Sequence, residues 1–306
     1  MLESKEIINT MTKDLICDIG MHTGNDTAFY LACGYNVLAV EADPDLVAGA
    51  RLRFKKEIEE GRLIILNVAI AEQAGLTDFW INENRPALNS FNRELTARDG
   101  EPHHVTKVEC KGLDQILSEY GPRPFYIKID IEGHDLICCN QLSSSNKPAY
   151  ISVEMSDEAL LLRLRELGYN RFKFVNQMNL AEPPYLTIPI HQQVLRFFYW
   201  YANNGLENRN IVLRITREIA SSLLKVASPF GLWSFHPKKF KSKFVPDWNF
   251  EKEIAGTYSG SFGKDLPGEW RTFEQSIQIW RRDVIEYQKL GWQLAYDLHA
   301  TSSDAT

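Results

Sequence analysis

The chain predicts an α/β fold built on a mostly parallel sheet, and three observations predict it. Short apolar runs alternate with helix-length segments from Asp14 to about Asn176. The runs are apolar enough to be strands covered on both faces. Proline and glycine stand where helices begin and end, with Pro44 in a first turn and Gly34, Gly61 and Gly168 after last turns.

Taken in order, LICDI (15–19) is the first strand, followed by a glycine-containing turn and a helix ending at Gly34. NVLAVE (36–41) is the second strand, a helix spans about Pro44 to Glu59, and RLIILNVA (62–69) is the third strand. TDFWIN (77–82) and HVTKVEC (104–110) read as extra strands around a polar loop from Glu83 to His103, and LDQILSEY (113–120) as the next helix. FYIKIDI (125–131) precedes a helix starting near His134, and AYISVEM (149–155) precedes one from Asp157 to Leu167. RFKFVN (171–176) is a further strand. Beyond it Pro183, Pro184 and Pro189 break the pattern and aromatic residues crowd at 197–201. A helix over about 209–226, a loop-rich stretch over 227–270 and a helix from Thr272 to about Leu290 follow. WQLAYDLHA (292–300) alternates as a half-buried strand does, and the tail from Thr301 frays.

At 306 residues the chain is about twice the ~150 of one ordinary domain. A composition 44% hydrophobic and 24% charged excludes disorder, collagen and coiled coil, and a net charge of −6 argues against a chain built overall to coat nucleic acid. The five cysteines include no CxxC pair, which disfavours a zinc cage or a disulfide framework and fits a reducing, cytoplasmic setting. Glu3, Lys5 and Glu6 interrupt any signal-peptide core, and no stretch approaches the ~20 apolar residues of a membrane span. No ligand spacing supports a metal.

The sharpest motif is DIGMHTG, Asp18 to Gly24, between a strand and a helix. Gly20 permits a tight turn, and Gly24 lets the backbone approach a ligand at the helix N-terminus. The next strand ends in Glu41, where a carboxylate can accept hydrogen bonds from both ribose hydroxyls of a nucleoside cofactor. The dinucleotide pattern GxGxxG is absent, because His22 and Asn25 stand at its second and third glycines. The acidic Asp18 suits a cationic ligand better than a pyrophosphate. S-adenosyl-L-methionine (AdoMet), with its sulfonium and ammonium, is therefore favoured over NAD. An NAD-linked oxidoreductase and a non-catalytic binding protein that retains the fold are the alternatives.

The second motif is FYIKIDIEGHD. Alternation sets Tyr126, Lys128, Asp130 and Glu132 on one side of a strand otherwise made of isoleucines. Ionisable groups there are expensive to bury unpaired, so Lys128 is expected to neutralise Glu154 or Asp18. Asp130 and Glu132, at the carboxyl end, are better placed to touch ligand.

The stretches DIGMHTGNDT, VEADPD, LNVAIAEQAG, LDQIL and above all KIDIEGHD resemble the FkbM-type methyltransferases, a class I AdoMet-dependent family, over roughly Asp14 to Asn176. The resemblance implies a seven-stranded Rossmann-like sheet and methyl transfer, most often to a hydroxyl oxygen; a glycan or small metabolite is the expected acceptor, and the net charge argues against nucleic acid. It implies that Asp18, Gly20 and Gly24 line the methionine part and that Glu41 holds the ribose, bordered by Ala42 and Asp43. Asn67, Val68 and Ala69 then sit beside the adenine, and His22, Thr27 and Asp130 complete the cofactor set. Met21 and His22 stand where the family loop carries a small pair, and Asp43-Pro44 follows Glu41-Ala42 where the family more often has Glu-Pro directly. Neither departure removes a cofactor contact. Methyl transfer needs alignment and, for a hydroxyl acceptor, a base, for which Asp130, Glu132 and His134 are the candidates. Ser90, in the long polar loop, is placed to close over the acceptor.

In this class the last two strands form a closing hairpin. RFKFVN and WQLAYDLHA fill those places, so residues 1–182 form the AdoMet-binding core, 183–290 an inserted cap, 291–300 the returning strand and 301–306 the tail. The insert carries 15 Lys and Arg against 10 Asp and Glu, with 19 of the 35 aromatic residues. Aromatic faces with cations suit carbohydrate rings or anionic groups. Lys238, Lys239, Lys241 and Lys243 around Phe240 read as a solvated basic loop rather than a membrane contact.

Overall fold

The computed structural model describes residues 15–121, 123–131, 133–177, 259–266, 268–281 and 295–302. Seven strands form one sheet in the order β3-β2-β1-β7-β8-β10-β9. They are β1 (Leu15–Ile19), β2 (Asn36–Glu41), β3 (Leu63–Asn67), β7 (Tyr126–Ile129), β8 (Tyr150–Glu154), β9 (Arg171–Asn176) and β10 (Tyr296–Thr301). All neighbours run parallel except β10, which is antiparallel to both β8 and β9. The predicted sheet with a returning last strand is the one observed. A smaller sheet, ordered β4-β6-β5, comprises β4 (Ala69–Ile70), β5 (Gly75–Asn82) and β6 (His103–Lys111). The two predicted extra strands thus pair as an antiparallel hairpin, with the short α4 (Arg93–Thr96) in the connection between them.

Strand alternation divides the core in two. Leu15, Cys17, Ile19, Leu38, Val40, Ile127, Ile129, Ile151 and Val153 face one side of the large sheet. They are covered by α5 (Leu113–Tyr120), α6 (Asp135–Asn140), α7 (Glu158–Glu166) and α8 (Phe273–Ile279). Ile16, Val37, Ala39, Tyr126 and Tyr150 face the other side, against α1 (Asn25–Ala32), α2 (Pro44–Arg53) and Phe262. Burial of both faces at about 25 cal/mol per Å² of apolar area is what favours this arrangement.

Local signals place the helices. Asp43 caps α2, its Oδ1 accepting from the amide of Asp45 at 2.8 Å, with Pro44 in the first turn. Asp157 caps α7 by accepting from the Ala159 amide at 2.7 Å, and Thr272 closes a capping box with Gln275 on α8. The helix expected from Pro44 to Glu59 is two helices, α2 and α3 (Lys55–Glu59), broken at Phe54. Phe54 leaves helical geometry to bury its ring beneath Gly24, where a Cβ would lie 2.6 Å from the ring.

The chain after β9 does not all stand apart from this body. Phe262 stacks on Tyr126 with centroids 4.3 Å apart, and Lys173 Nζ, buried on β9, donates to the carbonyl oxygens of Leu266 (2.9 Å) and Gly268 (2.8 Å). Trp280 stacks on Phe174 at 6.3 Å across the opposite face. The aromatic run 197–201, the helix over 209–226, the lysines around Phe240 and the helix beyond Arg281 lie outside the described residues. Among the described residues no helix is long and apolar enough to cross a membrane, and all five cysteines are free thiols.

Candidate active site

A cleft of about 430 Å³ opens at the carboxyl ends of β1, β2 and β7, where ligands bind in open α/β sheets. The turn after β1 builds its floor. The amides of Gly20 and Met21 both donate to the carbonyl oxygen of Val40, at 2.9 and 3.0 Å, which folds the loop onto the end of β2. Gly20 has φ +86°, and a Cβ there would overlap the carbonyl oxygen of Asp130, so β7 and the loop approach as closely as only glycine permits. His22 is the only residue other than glycine with positive φ (52°) among the described residues, and its backbone amide is thereby turned toward β2.

Glu41 receives that amide. Its Oε2 accepts from His22 N at 2.7 Å and its Oε1 from Asp43 N at 2.9 Å. Burial raises its pKa, and the two amides oppose the rise. Each oxygen retains a lone pair, so the fixed carboxylate lines the cleft with acceptor capacity to spare. Asn67 stands behind it, donating from Nδ2 to the carbonyl oxygens of Glu41 and Ala42, both at 3.0 Å.

The excursion between β5 and β6 forms one wall. Ser90 pairs with Trp80 through two backbone hydrogen bonds of 2.9 and 3.1 Å, and Asn89 Nδ2 donates to Asp43 Oδ2 at 2.8 Å. Phe91 then lies over His134, ring centroids 4.7 Å apart and nearly parallel, with Phe79 edge-on to Phe91 at 5.2 Å. Together with Val68, Ala69 and Ile70 these rings make an apolar stretch of the lining. Burial lowers the pKa of His134 and of His22, so both rings are neutral near pH 7.

A second stretch is charged. Lys128 Nζ, buried on β7, bonds to Asp130 Oδ2 at 3.0 Å and Asp26 Oδ2 at 3.2 Å. Its hydrogen bonds therefore go to Asp26, in the first turn of α1, and to Asp130, while the expected neighbour Asp18, its register partner on β1, acts on it by charge alone. Ser259 closes over Asp26, its amide donating to Oδ1 at 2.7 Å and its hydroxyl to Oδ2 at 3.0 Å. Asp18 is wholly buried beneath the loop, where Oδ2 accepts from Thr27 Oγ1 at 2.6 Å and Oδ1 has no hydrogen-bond partner. Asp297, on β10, holds Gln177 through Oδ1 at 2.9 Å, and its buried Oδ2 has none either. Burial, ahead of any neighbouring charge, pushes both carboxyls up to about 7.

Of the residues expected at the site, Gly20, His22, Glu41, Ala42, Val68, Ala69, Asp130 and His134 line the cleft, as does Ser90. Asp18, Gly24, Thr27, Asp43 and Asn67 stand behind the lining and hold the loop and its neighbours. Glu132 lies outside the described residues. Asp26, Asn89, Gln177, Ser259 and Asp297 were not singled out from sequence. Asp297 alone carried a signal, an acidic residue in the apolar strand YDLHA.

The sheet order, the glycine turn after β1 and the carboxylate ending β2 define a class I AdoMet-dependent methyltransferase, and AdoMet is its cofactor. The residues fit that group: a loop drawn tight against the Asp130 carbonyl at Gly20, a fixed carboxylate at Glu41 lining the cleft and, beneath the loop, a buried carboxyl oxygen, Asp18 Oδ1, with no hydrogen-bond partner. The chain belongs to the FkbM methyltransferase family, whose domain model, described as the methyltransferase FkbM domain, matches residues 18–171, half of its length. No curated protein matches it. Among solved structures it is similar to a human methyltransferase 10 domain containing protein (12% identity, TM-score 0.32, covering 57% of this chain and 72% of that one). It is also similar to an rRNA methylase from Streptococcus thermophilus (9% identity, TM-score 0.31, covering 57% and 84%). A precorrin-6y C5,15-methyltransferase from Geobacter metallireducens is a third (14%, TM-score 0.28, covering 56% and 74%). Likenesses this distant carry no argument about the acceptor.

Proposed function

We propose that the protein transfers the methyl group of AdoMet to a hydroxyl oxygen of a glycan or small metabolite. The observation that carries this reading is that one cleft is lined both by Glu41 with the Phe91–His134 ring pair and by the charged groups Lys128, Asp130 and Glu154. When bound, AdoMet supplies an electrophilic methyl carbon on sulfonium sulfur. Glu41 accepts the ribose hydroxyls, and its two backbone donors hold it at fixed length from the loop. Val68, Ala69 and Phe91 exclude water from the adenine face.

Asp130 is the carboxylate that orients the acceptor hydroxyl and receives its proton as the carbon–oxygen bond forms. Lys128 holds it pointed by a 3.0 Å bond. His134, stacked on Phe91, belongs to the ring wall rather than to proton transfer.

Calorimetry with the demethylated cofactor and with NAD, and turnover of labelled AdoMet on hydroxyl-bearing sugars, metabolites and RNA, test the proposal together. The demethylated cofactor binds, NAD does not, label enters a sugar or metabolite as an ether, and Asp130→Ala lowers kcat by about 100-fold or more. NAD binding without binding of the demethylated cofactor refutes the cofactor site. Label entering RNA alone refutes the acceptor.

A further inference from the structure

The charges beneath the cleft do not balance. Four carboxyl groups from four separate elements, Asp18 on β1, Asp26 on α1, Asp130 at the end of β7 and Asp297 on β10, converge on one ammonium, Lys128. Lys128 bonds to two of them. The other two are buried, and each keeps an oxygen, Asp18 Oδ1 and Asp297 Oδ2, with no hydrogen-bond partner. A buried carboxylate with a bare oxygen beside like charges is unstable unless a proton or a cation joins it.

Among the described residues, the remaining neighbours do not supply that cation. Asp135 approaches from α6, Glu154 is the register partner of Asp297 on β8, and a neutral His22, with Asp43 beside it, faces Asp130 and Lys128 from the loop side. Tyr30, Tyr126 and Thr27 are uncharged. The cofactor carries the missing charge in its sulfonium and ammonium, and Asp130 is the member of the group that lines the cleft along with Asp26 and Lys128.

We propose that the carboxyl cage around Lys128 is a proton-binding site linked to the cofactor site: Asp18 or Asp297 holds a proton in the free protein and releases it when the cationic end of the cofactor enters against Asp130. The inference rests on the cleft being the AdoMet site. Its sign is fixed by electrostatics. A cation near the cage favours the ionised carboxylates, so the complex binds fewer protons than the free protein. Affinity is therefore full above the pH at which the free cage titrates and falls as pH drops below it. Burial already places the free titration of Asp18 and Asp297 near pH 7.

Calorimetric titration of the full chain with the demethylated cofactor, whose ammonium remains cationic, in buffers of different ionisation enthalpy at pH 7 counts the protons exchanged. Release of between about half and one proton per site is expected, with affinity falling by up to about tenfold per pH unit between pH 7 and 5. Release drops below half its wild-type value in Asp18→Asn or Asp297→Asn, each checked for folding by thermal denaturation. Binding heats that are the same in every buffer overturn the linkage while leaving the cofactor site intact, and so does release unchanged in both variants. If neither variant folds, the wild-type buffer dependence decides alone. Absence of binding in every buffer overturns the cofactor assignment, and the linkage with it.

Discussion

Glu41 works because both of its oxygens are already committed to the backbone of the loops it joins, through His22 and Asp43. A ligand that adds to these bonds meets a carboxylate whose orientation has been fixed by folding. Glu41→Ala removes charge-assisted bonds of about 1.5–3 kcal/mol each and raises the Kd of the demethylated cofactor by about tenfold or more, measured by calorimetry. Persistent wild-type affinity refutes the ribose assignment. Gly20 is constrained twice, by its φ of +86° and by the carbonyl of Asp130. Gly20→Ala costs at least about 1 kcal/mol, read as a lower urea midpoint with unchanged slope. Both residues were legible in sequence, because a glycine opening a strand-to-helix turn and an acid ending the next strand have mechanical meanings. Asp26 was not: an acidic residue in a first helical turn is ordinary, and only the arrival of Lys128 and Ser259 gives it a function.

At the scale of elements, the loop after β1 is supported from below by the break between α2 and α3. Phe54 occupies the break, its ring filling the space under Gly24. Phe54→Ala leaves a cavity there and costs about 3–5 kcal/mol, with the largest rise in hydrogen exchange expected at residues 20–25. Unchanged exchange at the loop would separate the break from the site. The hairpin of β5 and β6 serves differently: its 83–102 excursion folds back through the Trp80–Ser90 pairing and brings Asn89 to Asp43 and Phe91 to His134. The strands were legible from their alternation. The excursion has only the polarity of a loop in sequence, since its contacts join residues with no periodicity between them. The helix break has no sequence signal, because Phe54 fits an apolar helical position as well as it fits the space beneath a loop.

For the molecule as a whole, buried ionisable groups set opposing slopes of stability with pH. The Asp297 carboxyl is raised to about 7, so the folded protein holds its proton where the unfolded chain has lost it; that contribution is present below about pH 4 and disappears as pH rises through 7. His299, buried on the same strand beside Lys173, is lowered to about 3, so its contribution is present above about pH 6.5 and is lost as pH falls toward 3. Thermal denaturation from pH 4 to 8 should show Asp297→Asn gaining on the parent as pH rises, and His299→Gln gaining on it as pH falls. Parallel curves for either variant refute its assignment. By itself, the sequence determined the strand order's raw material, the glycine turn, the acid of β2, the family and its cofactor. These depend on neighbours within about one strand–turn–helix unit, where spacing fixes geometry. The tertiary structure decided which distant polar groups meet: Lys128 with Asp26, Asp297 with Gln177, Ser259 with Asp26. Those pairs join segments up to 233 residues apart, and no local pattern specifies a contact created only when strands from both ends of the chain enter one sheet.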